Sequence, residues 1–477
     1  MAVLSNLPDE TLHRVLEFVT NDRESLENVS VVNRRLNKIV FPLLVRQWNN
    51  SQECLEPSIG RLALHLLRNP NLRRHVKRLD LGYLRPLYNH DPDPDSVDLS
   101  PESLAALVGA AHKDPPESLA ALADATEKDL QVSKLLPAHV YHRIRLGCVD
   151  AIAVLILTWC TRLTHLNITV PPFSPCSREH FMPLLYVKEA VCRLLDGPAE
   201  MVPQLPLDQV RHVTLQPSDS WEVYDMAYAR SFLHLPCIQT LCAYGLVDDL
   251  DNPLPLTYLH DYVPPFPVST SPITELTIVG GLLRSGVPDF ITACRALTKL
   301  SVSVDHRLEM YGFPDQKELA GALLKHKDSL EDLDLDISML QFPSLDPVLE
   351  EVYPQLSRIQ TLTVHIADLF EGSRSDEVEN CTKIVLDRIP QGIQVLKLRT
   401  HMFMESWVSH SKDVEGFLEP YLEGIIELLE EAGPQRRFSK LRVLGLSKAF
   451  MDDPIMFHIK RIKEMARLRG VNALFDG

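Results

Sequence analysis

The chain lacks the signatures that mark common enzymes. It contains no GxSxG, no glycine-rich phosphate loop closed by Lys-Ser/Thr, no HExxH and no Rossmann GxGxxG. "VGGLLRSG" (279–286) has three glycines, at a spacing that suits a turn and not a phosphate cradle. The 18 histidines are scattered, and His401 and His410 stand nine residues apart, which is not a ligand spacing on one helix face. No catalytic residue, metal site or cofactor is therefore expected. Positive charge is also short: 48 Lys+Arg against 64 Asp+Glu leave −16. Phosphate contacts and anionic membrane surfaces both need cations, so neither nucleic acid nor membrane is an expected partner. There is no CxxC, and the nine cysteines are an odd number, most of them beside apolar residues, which fits free thiols in a reducing compartment. No cationic segment followed by an apolar run opens the sequence. The most apolar stretch, "VDAIAVLILTW" (149–159), carries Asp150 and is too short to span a bilayer, which takes about 20 residues. It reads as a buried helix, and the chain as cytoplasmic or nuclear.

What the sequence has instead is one short pattern, repeated. An apolar residue, two variable, an apolar, one variable and an apolar occur as "VKRLDL" (76–81), "LTHLNI" (163–168), "VRHVTL" (210–215) and "IQTLCA" (238–243). The pattern returns as "ITELTI" (273–278), "LTKLSV" (297–302), "LEDLDL" (330–335), "IQTLTV" (359–364), "IQVLKL" (393–398) and "LRVLGL" (441–446). The first two copies start 87 residues apart, and later ones 24 to 48. In a strand the fourth and sixth residues of each copy share a face, and the first packs the turn before it. Helical patterns lie between copies, at 184–195, 316–326 and 419–433, the last opened by Glu419-Pro420 and stopped by Gly433. A strand and a returning helix cannot bury their faces alone, but stacked neighbours can.

The pattern resembles a leucine-rich repeat array. It departs from the short regular type, because most copies lack the Asn or Cys that follows "LxxLxL", and the periods are uneven. The resemblance implies an α/β repeat solenoid: an irregular array of parallel strands and outer helices over 76–450. Such an array binds its partners through the variable strand positions. Asp334 and Asp336 in one copy are followed, two copies later, by Lys397 and Arg399, with His365 between. These five are the candidate target-binding residues, on a surface running from acidic to basic.

The long first gap holds "NHDPDPDS" (89–96), where each proline disfavours helix before it and removes a donor. It also holds a near-duplication: "PESLAALVGAAHKD" (101–114) and "PESLAALADATEKD" (116–129) agree at ten of fourteen positions. An inserted loop and helical pair is expected over 85–135, packed on the array's edge or serving as a docking arm. The last segment, 451–477, opens an amphipathic helix with Asp453 and Pro454 and ends it at Gly470. Ile455, Ile459, Ile462 and Met465 would cap the array.

The first 48 residues differ from the rest. Six acids and six bases balance there, so all net negative charge lies beyond. A polar stretch at 49–58 opens a helical linker region expected over 49–75. Leu12, Val15, Leu16 and Val19 follow i, i+3, i+4, i+7; Leu26 and Val29 begin a second stripe, and Val32, Leu36 and Ile39 a third. Three short helices in about 40 residues have more apolar surface than so small a unit can bury. The segment resembles the F-box. The motif opens Leu-Pro-x-Glu, here Leu7, Pro8 and Glu10, and closes Val-x-Arg-Arg, here Val32, Arg34 and Arg35. Asn33 and Leu36 depart mildly from it, and "RRLN" is like the closing motif of fungal members. The resemblance implies that the Skp adaptor of an SCF-type cullin–RING ubiquitin ligase docks here. Leu7, Pro8, Leu12, Leu16, Leu26, Val29, Val32 and Leu36 match the motif's apolar positions. It further implies a non-catalytic substrate receptor whose array holds a protein target for degradation. The alternative is an interaction scaffold with no part in ubiquitination.

Overall fold

The structure is a computed structural model that describes residues 7–19, 22–49, 58–84, 122–124, 138–145, 148–170, 182–196, 207–219, 224–247, 265–282, 286–303, 315–337, 349–371, 383–399, 414–447 and 456–476. The chain divides into two compact units, Met1–Gln239 with Pro253–Pro265, and Thr240–Asn252 with Phe266–Gly477. Each is α/β with parallel strands in sequence order, as the repeats imply.

The first unit begins with three helices, α1 (Asp9–Glu17), α2 (Arg23–Ser30) and α3 (Arg34–Leu44). Asp22 caps α2 by accepting from the Ser25 N–H at 3.0 Å, and Asn33 caps α3 by accepting from the Leu36 N–H at 2.9 Å. Strand β1 (Gln47–Asn49) follows α3 almost directly and crosses the boundary expected at residue 48. After α4 (Ser58–Arg68) and a 3-10 turn (Pro70–His75) come β2 (Arg78–Tyr83), α5 (Ala138–Arg145), α6 (Val149–Trp159) and β3 (His165–Val170). Then come α7 (Met182–Asp196), β4 (His212–Pro217), β5 (Tyr224–Asp225) and α8 (Met226–Arg230). Strands β1 to β4 pair in that order, all parallel. Every residue of α6 is buried, as its sequence predicts, and α4, α5 and α7 pack on it. Its one acid, Asp150, meets Arg143 at 2.9 Å, which makes burial of that charge tolerable.

The second unit holds β6 (Thr240–Val247), β7 (Glu275–Leu282), α9 (Gly286–Ala293), β8 (Lys299–Ser303), α10 (Gln316–Leu324), β9 (Asp332–Asp336) and β10 (Thr361–His365). A separate antiparallel pair, β11 (Phe370–Glu371) and β12 (Lys383–Ile384), precedes β13 (Val395–Arg399). The unit ends with α11 (Val414–Glu430), β14 (Val443–Ser447), α12 (Met456–Arg469) and β15 (Asn472–Asp476). Parallel pairing runs β6-β7-β8-β9-β10-β13-β14-β15.

The repeat pattern accounts for this packing. First, fourth and sixth residues of all ten copies are at most 4% exposed. The fourth residues fall opposite one another: Leu79, Leu166 and Val213 in the first unit, and Leu241 through Leu444 in the second. The backbone supplies the satisfaction that an asparagine ladder would give. The Arg46 carbonyl accepts the N–H groups of Lys77 and Arg78, the Lys77 carbonyl those of Thr164 and His165, and the Thr164 carbonyl those of Arg211 and His212, all at 2.8–3.0 Å. Thr274, Thr298, Glu331, Gln360 and Gln394 repeat the device in the second unit. A carbonyl has two lone pairs, so one residue per copy satisfies two donors of the next turn.

Four expectations need correction. The glycines of 279–286 are not all in a turn, because β7 runs through Gly280 and Gly281 to Leu282, with Gly281 opposite Leu246. Helix α11 starts at Val414, so Pro420 is inside it and not at its start, at the cost of one helical hydrogen bond. Gly424 on the same helix is needed for close approach, since a Cβ there would stand 2.6 Å from the Phe370 ring. Gly433 ends the segment with φ +107°, as expected. Helix α12 forms as expected, with Ile459 and Ile462 fully buried, but it packs beside α11 and a further strand, β15, follows it. Val32 does not belong to the α3 stripe, because α3 starts at Arg34 and Val32 lies in the preceding turn. The loop and helical pair expected over 85–135 lie outside the described residues, apart from helical 122–124; Ile455, Asp453 and Pro454 lie outside them too.

Candidate functional sites

The N-terminal helices close around a small core of Leu12, Leu16, Leu26, Leu36, Ile39, Val40 and Leu43, with Leu7, Val19, Val29 and Leu44 packed at its edge. Arg35 holds the start of α1 against α3. Its guanidinium donates to Asp9 Oδ1 at 2.7 Å and to the Leu7 carbonyl at 2.6 Å. The paired arginines of the closing motif thus include one that fixes the Leu-Pro opening in place. Of the eight residues expected at an adaptor interface, Leu12, Leu16, Leu26 and Leu36 are buried in this core, and Leu7 and Val29 are partly buried. Only Pro8 and Val32 are exposed.

The apolar surface of the head is built from other residues. Phe18 is 90% exposed, Val31 80%, Val32 66% and Val15 45%. Val15 on α1 and Phe18 at its C-cap stand three apart, a second stripe beside the Leu12/Leu16 stripe. The sequence contains that stripe, but a search for one apolar face per helix passes over it.

On the polar face of β1–β4 the strand register builds two rows. The third residue of each copy gives Gln47, Arg78, His165 and His212, and the fifth gives Asn49, Asp80, Asn167 and Thr214. Both rows line a pocket of about 510 Å³, walled by Leu26, Leu44 and Trp48. The His165 and His212 rings stack with centroids 4.3 Å apart. Burial, the His212 ring and Arg78 hold the His165 imidazole down to a pKa of about 4, so it is neutral at pH 7. The Thr164 hydroxyl lies 3.0 Å from both the Lys77 carbonyl and His165 Nδ1. Asp80 Oδ1 accepts the Gly82 N–H at 2.9 Å, across a bulge where Gly82 has φ +55°. Asp80 Oδ2 accepts Asn167 Nδ2 at 3.0 Å. The third position of the copies, with its two histidines in register, is as visible in the sequence as the positions of Asp334 and Lys397.

The charged positions of the second unit do not form a gradient. Arg399 on β13 reaches across β10 to Asp334 Oδ1 at 2.8 Å and Asp336 Oδ2 at 3.4 Å on β9. Charges expected to face a target in sequence instead neutralise one another. Burial raises the Asp334 carboxyl above its ordinary range, and Arg399 opposes the shift. Thr363 and His365, on the strand that Arg399 crosses, are 5% and 9% exposed. Lys397 is exposed. Among the described residues six cysteines are free; burial lifts the Cys148 thiol to about 11 and those of Cys160 and Cys294 to about 12, which makes them inert. Among the same residues no group of His, Cys, Asp and Glu is arranged to hold a metal, and no helix is long and apolar enough to cross a membrane.

Compared with known proteins, the chain matches no family model and no curated protein.

Proposed function

We propose that the chain is a non-catalytic substrate receptor of an SCF-type cullin–RING ubiquitin ligase, acting in the cytoplasm or nucleus. Its three-helix head is an F-box that docks the Skp adaptor, and its parallel strands are an irregular leucine-rich repeat array that holds a protein target. The observation that carries this reading is the head's division of its apolar residues. One set closes a core, while Val15, Phe18, Val31 and Val32 remain exposed beyond what folding needs. The receptor makes and breaks no bond. It raises the target's local concentration beside a charged enzyme, which is a gain in effective molarity. The test is gel filtration of the full chain with purified Skp adaptor and a cullin–RING pair. Co-elution of all components supports the receptor, and a chain that elutes alone contradicts it.

A further inference from the structure

The turns that enter β1–β4 carry a row of cations. The Arg46 carbonyl accepts from the Lys77 N–H at 2.9 Å, the Lys77 carbonyl from the Thr164 N–H at 2.8 Å, and the Thr164 carbonyl from the Arg211 N–H at 2.9 Å. Arg46, Lys77, Thr164 and Arg211 therefore hold the same place in four consecutive turns. Arg162 lies two residues before Thr164 in the third turn, and Arg74 and His75 close the 3-10 turn before Lys77. Arg74, Arg162 and Arg211 are exposed, and Lys77 is half-buried. Arg46 pairs with Glu17 at 3.2 Å. No acid among the described residues pairs with Arg74, Lys77, Arg162 or Arg211. These groups act on one another. Burial, Arg162 and Arg46 hold the Lys77 ammonium below its ordinary pKa, and burial, Arg74, Arg162, His13 and Lys77 do the same to His75. Like charges gathered on one edge repel, and an anionic ligand offsets that repulsion.

We propose that this edge docks an acidic, extended segment of a partner protein. Charge complementarity selects the sign: guanidinium forks and an ammonium take carboxylates. Length selects the form. Four parallel strands set their entering turns across three strand spacings, about 14 Å, which is the reach of about five extended residues. A single phosphate covers only part of that row, because the cations belong to separate turns. A nucleic acid is a long polyanion and would run past the row onto a chain with 48 Lys+Arg against 64 Asp+Glu. A short acidic segment meets the row alone. The proposal goes beyond the receptor reading and does not depend on it: the row is set by β1–β4, and Skp adaptor binding can fail while this docking holds.

The test is calorimetric titration of the full chain at low salt with acetyl-Asp-Glu-Asp-Glu-Asp-amide. The controls are acetyl-Asn-Gln-Asn-Gln-Asn-amide, inorganic phosphate and a short oligouridylate. The acidic peptide should bind at about 100 μM or tighter, and the amide peptide at least about ten-fold more weakly. Added salt should weaken the acidic peptide, a readout that needs no variant. The double variant Arg162→Glu, Arg211→Glu reverses two exposed charges without an ion pair; it should melt as the intact chain does and lose about ten-fold or more of the affinity. A second double variant, Lys460→Glu, Arg467→Glu, makes the same change in net charge at exposed positions of α12 and should leave the affinity within about two-fold. Equal losses in the two double variants would reduce the binding to the net charge of the chain and overturn the proposal. So would an acidic peptide that gives no heat through the millimolar range, or one indifferent to salt or to Arg162→Glu, Arg211→Glu. Phosphate that matches the peptide, or oligouridylate that binds more tightly and is lost in that first variant, would assign the row to another ligand and overturn it as well.

Discussion

The head and the repeat strands use leucine and valine in opposite ways. In the strands, all thirty patterned positions are buried, and the remaining strand positions are largely polar. In the head, seven residues make a core while two valine neighbours, a third valine and a phenylalanine stay outside. The strands need stacked copies to hide their apolar face, and they have them. The head is too small to hide all of its own, so its surplus is available to a partner.

The comparison is broken most strongly from inside the repeats. Asp150→Leu leaves Arg143 charged and without its carboxylate beside the buried helix α6, and should destabilise the protein by about 3–5 kcal/mol in denaturant melts. Leu333→Ala, at the fully buried fourth position of β9, should cost about 3 kcal/mol, and Leu300→Ala and Leu362→Ala on the flanking strands a similar amount. Arg399→Ala removes two partly exposed ion pairs and should cost no more than about 1 kcal/mol. The pH dependence is more gradual. His165 titrates near 4 when folded and His326 is also held below its ordinary value by burial, while both titrate near 6.5 unfolded. The unfolded chain therefore binds more protons in this window. The histidine contribution is fully present above about pH 6.5 and is lost as pH falls toward 4, and His165→Phe should shrink that slope in thermal melts. Smallest of all, Phe18→Ser should change stability by less than about 0.5 kcal/mol, because the side chain is 90% exposed.

Much of the repeat architecture was legible because its signal is local and redundant. A period of two with fixed apolar places gives strand, facing and register together, and ten copies repeat it. The uniform apolarity of 149–159 likewise allowed only burial. The glycines of β7 and Pro420 misled because each was weighed by local propensity. The neighbouring strand β6 extends β7 through its glycines, and packing of α11 carries that helix through its proline. The head's motif positions were legible as apolar, but their direction was not. Leu12 and Phe18 look alike in sequence, and only the angle between helices decides which one is covered. The Arg399 bridge was hidden for a related reason. Two copies separate it from Asp334 in the chain, yet a long side chain crosses a single strand to reach it. The His165–His212 pair was written in the register and needed only the third position to be aligned.

The central claim is that the head's exposed apolar residues form its interface. The most direct measurement is the affinity of purified Skp adaptor for the intact chain and for the double variant Phe18→Ser, Val32→Ser, with melting curves of both. The account predicts tight binding by the intact chain and at least about a hundred-fold loss in the variant, as for two hot-spot residues, with superimposable melts. An intact chain that does not bind, or a folded double variant that binds as well as the intact chain, would contradict it.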